Sequence, residues 1–343
     1  MKLKRHEQNP ILEPVKGNPW ESEAVFNCGA VYEEKTGLIH MLYRAIGEYV
    51  DYKSRFGYGV SRDGVSFERK DSPVFEPTEE YERWGCEDPR ITEIDGIFFI
   101  TYVVLSKPAN SGGGPPMIAL ASTTDFKNFK KHGIITPEGA DERDTVLFPE
   151  KINRKYALLH RPHNWSKKYI FSEDGGLYLQ VNGTMDPVRK VIKWPIEEKP
   201  VFPEKPSIWI SYSEDLKNWH DHKVVMEPER KWEREKLGAG PPPIKMDKEW
   251  LLIYHSVENY NGGRKYHVGA ALLDLDDPSK VIARTKDPIL SPERDYEISG
   301  DVPNVVFPEG AVIVKDRLHV YYGAADRTCC VATCDLEKLI DSI

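Results

Sequence analysis

Cysteine is scarce in this 343-residue chain, and the five present (Cys28, Cys86, Cys329, Cys330 and Cys334) are odd in number without paired CxxC spacing. Neither a disulfide framework nor a zinc cage is therefore expected to organise the fold. Long apolar runs are missing too. No stretch approaches the roughly 18 residues of a membrane span, and the opening MKLKRHEQNPILEP has basic residues but no apolar core of the signal-peptide kind. The expectation is a soluble, cytoplasmic protein with no membrane partner. An excess of basic charge is absent: the net charge is −8, which argues against a nucleic-acid partner, since binding a phosphate backbone needs a basic face. Nucleotide motifs are lacking as well, because the GGG at 112–114 has no following Lys-Ser or Lys-Thr. His160 with His163, and His220 with His222, have no convincing metal-ligand context, so no metal and no organic cofactor is expected.

What is there is a repeat. A short apolar phrase closed by proline occurs five times, as NPILEP (9–14), SPVFEP (72–77), GIITPE (133–138), VVMEPE (224–229) and DPILSP (287–292). The closing residues Pro14, Pro77, Pro137, Pro228 and Pro292 are spaced by 63, 60, 91 and 64 residues. The long interval holds GGLYLQVNGT and a proline-rich EEKPVFPEKP, which read as an insertion near 172–206. A second phrase shares the period: two apolar strands around a polar turn, at 30–44, 90–103, 148–161, 242–255 and 310–323. A third, in YGVSRDGVSF, IALASTTDFKNF and WISYSEDLKNW, places Asp-containing turns between outer strands. Five units of about four strands, with almost no helical periodicity, predict an all-β fold: one five-bladed β-propeller domain spanning 1–343. The last unit ends without a proline phrase, so the NPILEP strand is expected to complete it and close the ring, removing an exposed edge.

The repeat also generates a site. Inner strands of a propeller line its axis, so residues at equivalent repeat positions face one another there. The second strands end at Arg44, Val103, Arg161, His255 and Gly323, while Arg143 and Lys236 lie just upstream of the third and fourth hairpins. Taken singly each charge reads as solvated or carboxylate-paired; in shared register they form a cluster suited to an anion, because guanidinium matches phosphate oxygens bidentately. In WGCEDPRI, Asp88 opens an inner strand near Trp84, where an apolar neighbour would raise its pKa toward general-acid use; otherwise it is a turn residue before Pro89. Asp301 and Asp326 are further acidic candidates, as sugar ligands or bases.

The motifs CEDPRI, LFPEKI with HRP, GAGPPPI, YHSV, DVPNVVFPEG and YYGAAD resemble glycoside hydrolase family 130, the mannoside phosphorylases and related mannosidases, from about Asn27 to Asp326. The resemblance implies a five-bladed propeller, with Asp88 as a proton donor acting through the 3-hydroxyl of the bound mannose. It implies phosphate binding by Arg143, Arg161, Lys236 and His255, and substrate contacts from Asn27, Arg44 and Asp326, with Tyr266 beside them. Hydrolytic relatives lack several of these cations, so their joint presence points to phosphorolysis. The insertion matches no shared motif and is left with two roles, shaping the acceptor site or a homo-oligomer interface.

The expected reaction is a single inverting displacement in which inorganic phosphate, as co-substrate, attacks a β-mannoside and releases α-mannose 1-phosphate. The substrates expected are β-1,4-mannooligosaccharides or mannosyl-glucose, with the β-1,2 linkage open. One rival is a β-mannosidase using Asp88 as acid and Asp301 or Glu297 as base toward water. Another is a non-catalytic propeller that binds glycans or protein.

Overall fold

The computed structural model describes residues 1–112, 114–137, 140–163 and 203–343, and the backbone of Tyr169–Phe171, Gly176–Val181 and Thr184–Lys193 between them. Five antiparallel sheets correspond to the five repeats. Blade 1 runs Ala24–Glu33, Leu38–Ile46, Arg55–Ser61, Glu68–Arg69. Blade 2 runs Cys86–Ile94, Ile97–Leu105, Pro116–Thr123, Lys130–Ile134. Blade 3 runs Glu142–Leu147, Tyr156–Pro162, Ile208–Ser213, His220–Met226. Blade 4 has Lys236–Ala239, with Ile244–Lys245 on the same neighbour, then Glu249–Tyr260, Gly263–Asp274, Val281–Arg284. Blade 5 takes Val306–Val314, Arg317–Ala324 and Thr328–Asp335 from the end of the chain, and its outer strand, Lys4–Arg5, from the beginning.

The ring thus closes through an amino-terminal strand, as the repeat order predicts, but the paired residues lie upstream of NPILEP. Lys4 and Arg5 pair with Thr333 and Ala332, whereas the proline phrase contributes a single bridge from Leu12 to Cys329. The reason is local. Pro10 and Pro14 have no N–H to give a ladder, so the phrase acts as an edge tether. Phe75 and Leu290, in two of the other proline phrases, likewise make isolated bridges, to Phe56 and Val268.

Each interface between blades has its own apolar layer, such as Leu251, Ile253 and Val268 against Leu318, Val320 and Tyr322 between blades 4 and 5. The layer between blades 5 and 1 joins Tyr321, Cys329 and Val331 to Val25, Cys28 and Met41, so the closing interface has a buried apolar layer like the others. Each fully buried Leu, Val or Phe contributes roughly 1.5–3 kcal/mol.

Under the outer edge of four blades lies a repeated polar triad. Tyr43, Tyr102, Tyr254 and Tyr322 donate their hydroxyls to Glu21, Glu82, Glu233 and Glu297 at 3.0, 2.7, 2.8 and 2.8 Å. A cation from the outer strand, Arg69, Lys131, Arg284 or Arg5, completes each one. Blade 3 substitutes Glu142, His160 and His222. These carboxylates are at most 1% exposed and are structural, since a buried charge persists only when paired and hydrogen-bonded. Glu297 is therefore removed from the possible bases: it is fully buried, and it accepts from Arg5, Tyr322 and the backbone N–H groups of Glu293 and Arg294.

Of the insertion near 172–206, Gly176–Val181 and Thr184–Lys193 form with Tyr169–Phe171 a three-stranded antiparallel sheet separate from the blades. Residues 172–175, 182–183 and 194–202 of that stretch lie outside the described residues. No helix among the described residues is long and apolar enough to cross a membrane.

Candidate active site

The innermost ladders break at corresponding points. Pairing registers place Arg44 opposite Phe26, Val103 opposite Glu87, Arg161 opposite Arg143, His255 opposite Gly238 and Gly323 opposite Phe307. The five positions singled out by the repeat are therefore level around the axis. Immediately after them in three blades the ladder shifts register, at Asn27, at Asp88 and at Asp144, and one pair later in blade 5, between Pro308 and Gly310. Asn27, Asp88 and Asp144 take φ of 47°, 55° and 54°, a left-handed conformation that Asn and Asp tolerate better than most residues. Such bulges re-aim a side chain, and here they produce a polar centre.

One half of that centre surrounds Asp88, which is 8% exposed. Asn27 donates to its Oδ1 at 2.9 Å and Arg44 Nη1 lies 3.0 Å from the same oxygen. Arg44 also reaches Glu87 at 2.5 Å and Ser54 at 2.8 Å, and its guanidinium lies over the rings of Phe26 and Tyr52. The expected tryptophan setting for Asp88 is corrected. Trp84 packs in the apolar layer between blades 2 and 3 beneath Arg83, and the groups bonded to Asp88 are polar. Desolvation raises the Glu87 carboxyl against the pull of Arg44. Asp326 is pushed up to about 7 by desolvation, with Arg44 opposing and Asp88, Asp301 and Glu87 adding to the rise. Asp301 is exposed at the rim, where it accepts a 2.5 Å hydrogen bond from Tyr52.

The other half centres on Asp144, which the sequence reading missed. Burial would raise its carboxyl, but Arg161, with Arg90 and Lys236 adding, holds it well below the usual range. Arg161 forms a hydrogen-bonded ion pair with Asp144, and His255 Nε2 lies 3.4 Å from the same carboxylate oxygen. Lys236 bonds Tyr266 Oη at 3.2 Å, and Tyr266 stacks toward His255 at 6.2 Å. Burial lowers Lys236 to about 7, helped by Arg161 and Arg143 and opposed by Asp144. His255 enters as a neutral imidazole rather than a cation, because burial lowers it to about 3. Neither of its ring nitrogens has a hydrogen-bond partner among the described residues. The fields of Arg143 reach both Glu87 and Lys236, so it stands between the halves. Arg264, in the long blade 4 hairpin, acts on Lys236 and Tyr266 and was also missed. Comparing VFNC, CEDP and ERDT, whose third residues are Asn27, Asp88 and Asp144, as one repeat position would have exposed Asp144; nothing in the sequence marks Arg264.

Two further cavities, of about 470 Å³ between blades 2 and 3 and about 540 Å³ toward the other end of the inner strands, are lined by none of the ten predicted residues. Among the described residues no group of three or more His, Cys, Asp or Glu could hold a metal ion.

A buried carboxyl beside a cluster of cationic side chains at a propeller axis is the arrangement of an enzyme site suited to an anionic co-substrate. A family profile described as beta-1,4-mannooligosaccharide phosphorylase matches residues 2–199 and 193–343. A beta-1,2-mannobiose phosphorylase of Thermoanaerobacter sp. (strain X514) is 41% identical over 98% of this chain and 99% of its own. A beta-1,4-mannooligosaccharide phosphorylase of Ruminococcus albus is 34% identical over 99% of this chain and 90% of its own. The solved beta-1,2-mannobiose phosphorylase of Listeria innocua, in complex with beta-1,2-mannobiose, superposes with a TM-score of 0.76 at 28% identity, covering 100% of this chain and 99% of that one. The chain belongs to glycoside hydrolase family 130. It is a phosphorylase of that family, with phosphate as co-substrate.

Proposed function

We propose that Asp88 is the proton donor, that Arg143, Arg161, Lys236 and His255 bind phosphate, and that Asn27, Arg44, Tyr266, Asp301 and Asp326 surround the mannosyl unit. The reaction is inverting phosphorolysis of a β-mannoside. A phosphate oxygen bonds to the anomeric carbon, the glycosidic C–O bond breaks, and the proton from Asp88 goes to the leaving sugar, giving α-mannose 1-phosphate. An ordinary inverting hydrolase needs a second carboxylate to activate water. Phosphate is already nucleophilic, so the protein's task is to orient it and to neutralise its charge.

The observation that carries this reading is the division of the axis: an acid held by Arg44 and Asn27 on one side, and Arg161, Lys236 and neutral His255 gathered about Asp144 on the other. The hydrolytic rival is weakened by the burial of Glu297 in a structural triad and by the exposed position of Asp301 against Tyr52.

For the linkage, β-1,2 is favoured over the expected β-1,4. The relatives named for β-1,2-mannobiose and 1,2-beta-oligomannan are 41% and 39% identical over nearly the whole chain, against 34% for the one named for β-1,4-mannooligosaccharides. Free, buried thiols at all five cysteines support a reducing, cytoplasmic setting. The test is incubation with β-1,2- and β-1,4-mannobiose, with and without phosphate, and assay of mannose 1-phosphate and mannose. Phosphate-dependent sugar phosphate from the β-1,2 disaccharide supports both parts. The same product from β-1,4-mannobiose alone overturns the linkage, and phosphate-independent mannose overturns the mechanism.

A further inference from the structure

Arg90 follows Asp88 by two residues, is 1% exposed, and touches four blades with one guanidinium. Its Nε donates to the Gly240 carbonyl of blade 4 at 2.9 Å, and its Nη1 faces the main-chain carbonyl of Asp88 at 3.4 Å. Its Nη2 lies 3.3 Å from Asp144 in blade 3 and 3.4 Å from Glu309 in blade 5. Gly240 can present its carbonyl this closely because it has no side chain: a Cβ there would sit 2.8 Å from the Ile253 carbonyl oxygen and 3.0 Å from that of Pro308. The contacts are unequal in kind but fall on both halves of the site. The Asp88 carbonyl belongs to a left-handed bulge residue, and Asp144 is the group that orients Arg161 and faces His255.

Glu309 lies beneath. It is fully buried, and neither carboxylate oxygen has a hydrogen-bond partner among the described residues. Burial pushes its carboxyl well above the usual range, with Arg90 opposing and Asp88, Cys28 and Asp144 among the neighbours that act on it. Burial thus disfavours the charged form of Glu309, and Arg90 Nη2 lies between its carboxyl and that of Asp144, at 3.4 and 3.3 Å.

We propose that Arg90, seated on Glu309, is a positioning residue that ties the proton donor's bulge to the phosphate pocket. This rests on the phosphorolytic reading of the site. Removing the tie should harm both halves together, because Asp88 and the phosphate must hold a common geometry for in-line attack.

The test is Arg90→Lys, which keeps a charge but not the fork that spans four blades. Turnover should fall about 100-fold and KM for phosphate rise about 10-fold, with KM for the mannoside within about threefold. The phosphate-induced rise in Tm, readable without turnover, should shrink in parallel. A folded Arg90→Lys enzyme with kcat and phosphate KM within about threefold of the parent overturns the proposal. If that variant does not fold, Glu309 supplies the test: Glu309→Ala should raise phosphate KM about fivefold, and the neutral isostere Glu309→Gln should restore it. Equal damage by both, or by neither, overturns the proposal. Failure of the underlying reading would look different, as a parent protein that makes no mannose 1-phosphate at all.

Discussion

Arg44 and Asp88 share a 3.0 Å contact across two blades, and Asn27 donates to the same Asp88 oxygen at 2.9 Å. The proposed proton donor is thus held by a cation and an amide, both at the axis. Asp88→Asn keeps the shape and removes the transferable proton. We expect kcat to fall about 10³-fold, within the range for loss of a general acid, with the phosphate-induced Tm shift preserved. Kinetics with β-mannobiose and a thermal shift titration check this, and loss of phosphate binding would contradict it.

Gly323 approaches that amide closely. A Cβ at 323 would lie 2.1 Å from Asn27 Oδ1 and 2.8 Å from its backbone nitrogen. Gly323→Ala should therefore displace Asn27 from Asp88, destabilising the protein by about 1–3 kcal/mol. It should lower kcat with little change in phosphate KM. Urea unfolding and steady-state kinetics separate these effects.

Lys236, lowered to about 7 by burial, sets a pH dependence. Below pH 7 the ammonium is charged and, in its proposed role, attracts phosphate; above it the charge is lost. KM for phosphate should therefore rise as pH increases through 7, and Lys236→Arg, whose guanidinium stays protonated, should flatten the rise. A profile of phosphate KM from pH 6 to 8 for both proteins tests it, and parallel slopes would remove Lys236 as the cause.

The blade triads are a stability device distinct from the site. Glu82 is fully buried against Tyr102 and Lys131. Glu82→Ala strands the Lys131 ammonium and the Tyr102 hydroxyl, and should cost about 3–5 kcal/mol in urea unfolding. The folded fraction should keep its kcat, since none of the three touches the axis.

Much of the architecture is legible along the chain. Alternation of period two and polar turns specify hairpins locally, and their recurrence specifies five blades. The same period placed Arg44, Arg161, His255 and Gly323 level, because register is set by hairpin length and needs no distant partner. Tertiary structure decided the rest. Trp84 is near Asp88 in sequence, but it lies in the turn before the strand and packs in an apolar layer, while Asp88 finds a partner 44 residues away, in another blade. Glu297 resembles a candidate base until Arg5, from the opposite end of the chain, pairs with it. Asp144, Arg90 and Glu309 carry no local signal of their meeting. They converge because ladder breaks aim side chains inward and glycines let the blades close, and both effects exist only once the ring has formed.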